Sequence, residues 1–260
     1  MSYLKSLVKP VFNSELGILF RNIFKFKPVG FHFPENLNSY SCSDLFFWRT
    51  DNNFETIFRY SDLPKIYYGI ENSDVLFVFY DSKGVEINRI VISMTGALSE
   101  LKIDKTIVGD REKFGTFSIF HLVDNNKASS LKVINRCYVG YSRGNSISSF
   151  MHGNVEAQYI NLEADDKKIM NDVAKIVYFR NQYSIQKNFS NYDYSELVFC
   201  NPASSEVGIS VVTEKMTLLP KSSAIVKIQN KGLVKIHSNL SMPRPMIFSY
   251  KSNYFDCQHG

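Results

Sequence analysis

Hydrophobic positions are spaced in two different ways along this chain. Between Glu15 and Phe26, Leu16, Leu19, Phe20, Ile23 and Phe24 recur at three- and four-residue intervals, while Gly17, Arg21, Asn22 and Lys25 fill the other face. That spacing predicts an amphipathic helix. Ser14 offers a hydroxyl to the unpaired amides of its first turn, and Pro28 and Gly30 end it. From about residue 40 the texture changes to short aromatic and β-branched runs broken by turn residues. Asp74–Tyr80, Asp81-Ser82-Lys83-Gly84 and Val85–Met94 read as strand, tight turn, strand. Glu196–Cys200, Asn201-Pro202-Ala203-Ser204-Ser205 and Val207–Val212 read the same way. The pattern predicts an all-β fold of sandwich or barrel type. A polar stretch from Leu162 to Ile176, with Ile169, Met170, Val173 and Ile176 at helical spacing, reads as a linker helix.

The β-rich region resembles itself. Trp48-Arg49, followed by Phe54, Phe58 and Asp62, matches Phe179-Arg180, followed by Ile185, Phe189 and Asp193, at a constant offset of 131 residues. Ser73-Asp74-Val75 matches Ser195-Glu196-Leu197 at an offset of 122. Leu98 and Leu219, then Gly115 and Gly232, continue the series. Arg136-Cys137-Tyr138-Val139-Gly140-Tyr141-Ser142-Arg143 leads to His152-Gly153, as Arg244-Pro245-Met246-Ile247-Phe248-Ser249-Tyr250-Lys251 leads to His259-Gly260. Blocks in one order predict two tandem, duplicated β-sandwich-like domains, since a period this long makes domain-sized units. The divisions expected are a basic segment 1–40, a first repeat 41–157 and a second repeat 158–260 that begins with the linker helix.

The second repeat carries Asn201-Pro202-Ala203-Ser204 after a strand and Leu219-Pro220-Lys221-Ser222-Ser223 before another. Ser238-Asn239-Leu240 then leads to Pro245-Met246-Ile247-Phe248. This order resembles the small β-sandwich of the sensory rhodopsin transducer family, whose comparable strands end in a Gln-x-Ser/Thr-Arg segment. Ser142-Arg143 is similar to the end of that segment and Lys251 stands near the place of the Arg, while the Gln is absent from both repeats. The resemblance implies a sandwich with a ligand- or partner-binding role.

Charge and composition narrow the functional classes. The net charge of +5 is too small to point to a nucleic-acid partner, and it is unevenly placed. Residues 1–30 hold Lys5, Lys9, Arg21, Lys25 and Lys27 against Glu15 alone, so the remainder is nearly neutral. A basic amphipathic helix of this kind either packs on its own domain or lies on an anionic membrane surface, so weak peripheral contact through residues 1–27 is one expectation. No run reaches the roughly 18 apolar residues of a membrane-spanning helix. With Cys42, Cys137, Cys200 and Cys257 widely spaced and no signal-peptide pattern, the expected location is cytoplasmic, at most peripheral to the inner face of the membrane, with reduced thiols.

Motif-borne chemistry is absent. Neither a GxGxxG nor a GxxxxGK[ST] loop is present to cradle phosphate, nor a GxSxG elbow, nor an HExxH or HxxH pair for a metal. No cofactor is implied, and Asp165 and Asp166 read as a solvated face. What remains is the repeated set. Arg136, Arg143 and Arg244, with Lys251, are candidates to hold an anion, and Tyr141 and Tyr250 to stack on or bond a polar ligand. Arg49 and Arg180 follow large aromatics in equivalent strands and either make buried bonds between the units or sit on a concave face. His152 and His259 are candidate acid/base groups. The first reading is a non-enzymatic module for a polar small molecule, such as a sugar or sugar phosphate, or for a protein partner. An enzyme acting on a sugar-type or nucleotide-sugar compound is the alternative, and a peripheral membrane or assembly protein the third; homo-oligomerisation stays open.

Overall fold

A computed structural model describes residues 14–23, 37–109, 113–124, 127–135, 137–153, 156–171, 176–185, 189–229, 232–240 and 243–260. The fold is all-β. In the first half β2 (Phe46–Arg49), β7 (Phe114–Leu122), β4 (Asp74–Asp81) and β5 (Glu86–Ser93) form one sheet in that order. It faces a second sheet of β6 (Leu98–Ile103), β3 (Phe54–Ser61), β9 (Tyr138–Arg143) and β10 (Ser149–His152). In the second half β13 (Ile176–Ile185), β18 (Val234–Leu240), β15 (Val207–Val211) and β16 (Glu214–Leu218) form one sheet. Its partner is β17 (Ser223–Ile228), β14 (Tyr194–Cys200), β19 (Met246–Lys251) and β20 (Tyr254–His259).

The two sets of eight strands share one topology. Counted in chain order within each set, one sheet runs first-sixth-third-fourth and the other fifth-second-seventh-eighth, in both halves. Every pairing within these four sheets is antiparallel. This order equates β2 with β13, β7 with β18, β9 with β19 and β10 with β20. The outer blocks of the sequence match therefore fall on equivalent strands. The middle blocks do not: β3 corresponds to β14 rather than to the end of β13, and β4 corresponds to β15. The sequence comparison slipped by one strand there, because apolar strands of similar length match one another whatever their place in the sheet. For the same reason Asp62, which follows β3, has no counterpart in Asp193, which precedes β14.

A fifth sheet sits outside this common frame. It is built from β12 (Ile169–Met170), β11 (Glu156–Asn161), β1 (Tyr40–Asp44) and β8 (Lys132–Asn135), with β1 and β8 parallel. Its presence corrects two expectations. Ile169–Met170 is a strand paired with β11, and the described part of 162–176 before it is not helical. A division at residue 157 would cut β11, which pairs with β1 from Glu156 to Asn161, so the first unit runs on to Met170. A further expectation, the hairpin from Glu196–Cys200 to Val207–Val212, is corrected within the second sandwich: β14 and β15 lie in different sheets, the Asn201–Ser205 segment crossing between them.

The core is shared between the halves. Phe46, Trp48, Phe58, Phe77, Phe79 and Phe117 of the first sandwich pack in one cluster with Val198, Met246, Phe248 and Tyr250 of the second. Leu197, Phe199 and Ile247, one position along the same strands, face a separate cluster with β15 and β18. The sheet β17-β14-β19-β20 is thus covered on both faces, which is why β19 is buried from Met246 to Tyr250 instead of alternating. Gly84 marks how closely the halves fit. It sits at φ 82° in the β4–β5 turn, where an added Cβ would overlap the Pro220 carbonyl oxygen, and Ser223 N donates to Ser82 O at 3.0 Å beside it. At the N-terminus the helix forms over Glu15–Ile23 with Gly17 N donating to Ser14 Oγ at 3.1 Å, and it lies against β13. Phe24–Phe26 fall outside the described residues.

Candidate functional site

The repeated residues gather along the seam between the halves, at two places. At the first, β2 delivers Arg49 into full burial between the sandwiches. Its Nε and Nη2 donate to the two oxygens of Asp51 at 2.8 Å each, and Nη1 donates to Glu196 Oε2 at 2.7 Å and Tyr250 Oη at 3.2 Å. Tyr250 in turn donates to Glu196 Oε2 at 2.7 Å. The guanidinium lies 4.0 Å from the centre of the Phe54 ring and 4.9 Å from that of Phe248. Burial alone works against the charge, but the bonds from Asp51 and the charges of Glu196 and its neighbours outweigh it, so the pKa of Arg49 is raised. Burial and the adjoining Glu196 also raise the Tyr250 phenol, against the pull of Arg49. With its charge matched by two carboxylates, Arg49 acts as a bond between units and has little capacity left to take up a free anion.

The second place is the contact of β10 with β20. His152 and His259 come together there with ring centres 4.6 Å apart. His259 Nε2 donates to the His152 carbonyl at 3.1 Å, and Ser149 Oγ donates to the Cys257 carbonyl at 3.2 Å. That bond fixes the proton of His259 on Nε2, and its buried Nδ1 has no hydrogen-bond partner among the described residues. Burial, with Arg244 and His152 nearby, lowers the pKa of His259 to about 4. An imidazole held neutral at pH 7 with one nitrogen sealed off is a poor proton shuttle, so the geometry favours a structural role. The glycine after His152 has a packing reason: a Cβ at Gly153 would overlap the Asp44 carboxylate.

The other expected residues divide. Tyr141 is fully buried and donates to the Phe47 carbonyl at 2.8 Å, with its ring against Phe248, so it belongs to the core and cannot meet a ligand. Arg143 is half-buried beside the Arg49 group, 5.4 Å from the Tyr250 ring centre, and donates to the Asn52 carbonyl at 3.3 Å. Arg244 donates to the Gly260 carbonyl at 2.9 Å, tying the C-terminal residue to the β18–β19 connection. Lys251 is exposed. Arg136 lies outside the described residues, as does the side chain of Arg180 on β13.

Open space lies beside the Arg49 group rather than in it. A cleft of about 310 Å³ is lined by Thr50, Phe54, Glu55, Lys102, Ile103, Asp104, Lys105 and Thr106. Beneath it the buried Phe54 ties this region to the seam, since it meets Phe248 and Phe255 of the other half edge to face, at 5.7 and 5.0 Å. On the rim Lys102 donates to Glu55 at 2.8 Å across the β3–β6 pair, and that bond raises the pKa of Lys102. Asp104 caps the short helix Lys105–Val108 and accepts from Thr106 Oγ1 at 2.6 Å and Thr106 N at 2.9 Å, which lowers its pKa. Two ammonium groups, two carboxylates and two hydroxyls therefore surround the cleft with balanced charge. The sequence reading missed these residues. Asp104-Lys105-Thr106 carries a cap signal, but nothing in it places it opposite Glu55.

All four cysteines are free thiols, and burial pushes those of Cys137 and Cys200 up to about 12. Among the described residues no group of three His, Cys, Asp or Glu side chains is placed to hold a metal ion. No helix among them is long and apolar enough to cross a membrane.

No family model matches the sequence, and no curated protein matches it. Among solved structures it is similar to that of the M60 catalytic domain with the CBM51-1 and CBM51-2 domains from Clostridium perfringens ZmpB, at 11% identity and a TM-score of 0.20. The match covers 81% of this chain and 34% of that one, so this chain spans about a third of that structure's length.

Proposed function

We propose that this chain is a non-catalytic binding module for a polyhydroxylated small molecule of the sugar class, held in the cleft between β3 and the β6–helix turn. The observation that supports this is the cleft's lining. Glu55 and Asp104 accept from hydroxyls, Lys102 and Lys105 donate to them, and Thr50 and Thr106 add hydroxyls around the same space. Near-balanced charge favours a neutral sugar over a sugar phosphate. The volume of about 310 Å³ lies at the lower end for ligand pockets and suits one or two rings.

Thermal unfolding in the presence of a panel of neutral sugars, sugar phosphates and nucleotide sugars tests the reading. A ligand at about 100 times its dissociation constant adds roughly 2.7 kcal/mol and moves the midpoint by several degrees. Lys102→Ala removes that shift while leaving the ligand-free midpoint nearly unchanged, because the Lys102–Glu55 pair is half exposed and contributes little. Asp104→Ala removes it too, but costs the ligand-free protein about 1 kcal/mol because the helix cap is lost. A panel with no hit, or a hit that survives both substitutions, would sink the proposal.

A further inference from the structure

The N-terminal helix presents its apolar side to solvent. Leu16, Phe20 and Ile23 are 67%, 57% and 54% exposed, and at intervals of four and three residues they share one face within two turns. The helix already lies against β13, so this stripe is not what holds it to the sandwich. A nine-residue helix that served only to cover its own domain would turn such residues inward. From these observations we infer that this face docks the protein onto an anionic lipid surface.

Charge selects that occupant over a second copy of the chain. Five of the 30 lysines and arginines, but only one of the 25 acids, fall in the first thirty residues. Pairing two copies through this helix would bring one basic segment against another, and three side chains are far short of the roughly 800 Å² per partner of a stable protein interface. A bilayer of acidic lipids meets both features together. Leu16, Phe20 and Ile23 enter the boundary between headgroups and acyl chains, and the net positive charge that the sequence concentrates in its first thirty residues is drawn to the headgroup charge. This surface is separate from the cleft, so the inference stands or falls independently of the sugar-binding proposal.

Flotation of the full chain with vesicles of phosphatidylcholine containing a quarter phosphatidylglycerol, against vesicles of phosphatidylcholine alone, tests it. The protein floats with the anionic vesicles at about 50 mM salt, binds the neutral ones at least tenfold less, and is released by raising salt, as screening requires. The triple substitution Leu16→Ser, Phe20→Ser, Ile23→Ser lowers binding at least tenfold with an unchanged thermal midpoint. Should that variant fail to fold, Lys25→Glu with Lys27→Glu supplies the same loss through charge. Failure of the wild-type chain to float with anionic vesicles overturns the inference, as does equal flotation of wild type and variants. Sedimentation showing a dimer that the triple substitution dissolves, in a protein that ignores vesicles, would assign the stripe to a second copy instead.

Discussion

The two contacts that fasten the halves together treat charge in opposite ways. At the Arg49 end a full positive charge is carried into the core and matched there by Asp51 and Glu196, with the Phe54 and Phe248 rings against the guanidinium. At the His152–His259 end burial keeps the His259 ring uncharged, and the ring bonds of both histidines go to backbone carbonyls. Both solutions remove an uncompensated buried charge, but only the first ties two specific side chains across the seam, one from each half. It therefore fixes which face of the second sandwich meets the first, whereas the histidine end closes an edge. The Arg49 end should be the more costly to break and the histidine end the more sensitive to pH.

Arg49→Met breaks the comparison most directly. It leaves Asp51 and Glu196 facing each other with no cation, in side chains only 19% and 13% exposed. Removing one partner of a buried pair costs about 3–5 kcal/mol. Guanidinium denaturation should show that loss, and a simultaneous Glu196→Leu should restore part of it. Full additivity of the two changes would mean that the pair does not couple the halves. Gly84→Ala probes the same seam without touching charge. The new methyl group would have to displace the Pro220 carbonyl and adopt a left-handed backbone, for about 2–3 kcal/mol. An unchanged midpoint would show that the β4–β5 turn and the Pro220–Ser223 segment are not in contact in solution.

How far the sequence foretold this arrangement depends on what each residue had to reveal. The β4–β5 hairpin was legible because its turn is written locally: Asp81 accepts from the amides of Lys83 and Val85, and Gly84 takes the positive φ. The outer strands of the repeat were legible because they carry unusual residues, Arg49 in one case and the two histidines in another. The middle of the repeat was misread by one strand, since runs such as those of β4 and β14 state that they are buried but not beside which strand. The fifth sheet was missed for a different reason. Its central strand, Tyr40-Ser41-Cys42-Ser43-Asp44, is wholly buried yet mostly polar, with Ser41 and Ser43 accepting from the β7 amides of His121 and Ile119. Hydropathy does not mark such a strand. The cleft was illegible because its residues are exposed charges paired across strands, which in sequence look like any solvated surface.

The histidine end can be sharpened by pH. The folded-state pKa of His259, about 4, lies below the ordinary 6.5, chiefly through burial. Between those values the unfolded chain binds a proton that the folded chain refuses. The stabilisation is therefore fully present above pH 6.5 and is lost as pH falls toward 4. Allowing for solvent screening of a partly exposed ring, the loss is on the order of 1–2 kcal/mol. Urea midpoints measured from pH 7 to pH 4.5 should fall for the wild type and fall less for His259→Phe. Parallel curves would place the acid sensitivity elsewhere.

Tyr141 lies between the two ends and gives the smallest expected effect. Its hydroxyl donates to the Phe47 carbonyl inside the shared core, and its ring stands against Phe248 of the other half at 4.8 Å. Tyr141→Phe keeps the ring and removes the bond, so about 1 kcal/mol should be lost. The value of the experiment is in its pairing with ligand titration. A tyrosine that served the sugar site through its hydroxyl would lose affinity on this change; a core tyrosine loses only stability, since no part of it reaches solvent or the Phe54–Lys102 cleft. Unchanged affinity beside a lowered midpoint would assign the repeated Tyr and Arg residues to joining the halves, and leave recognition to the charged rim around Phe54.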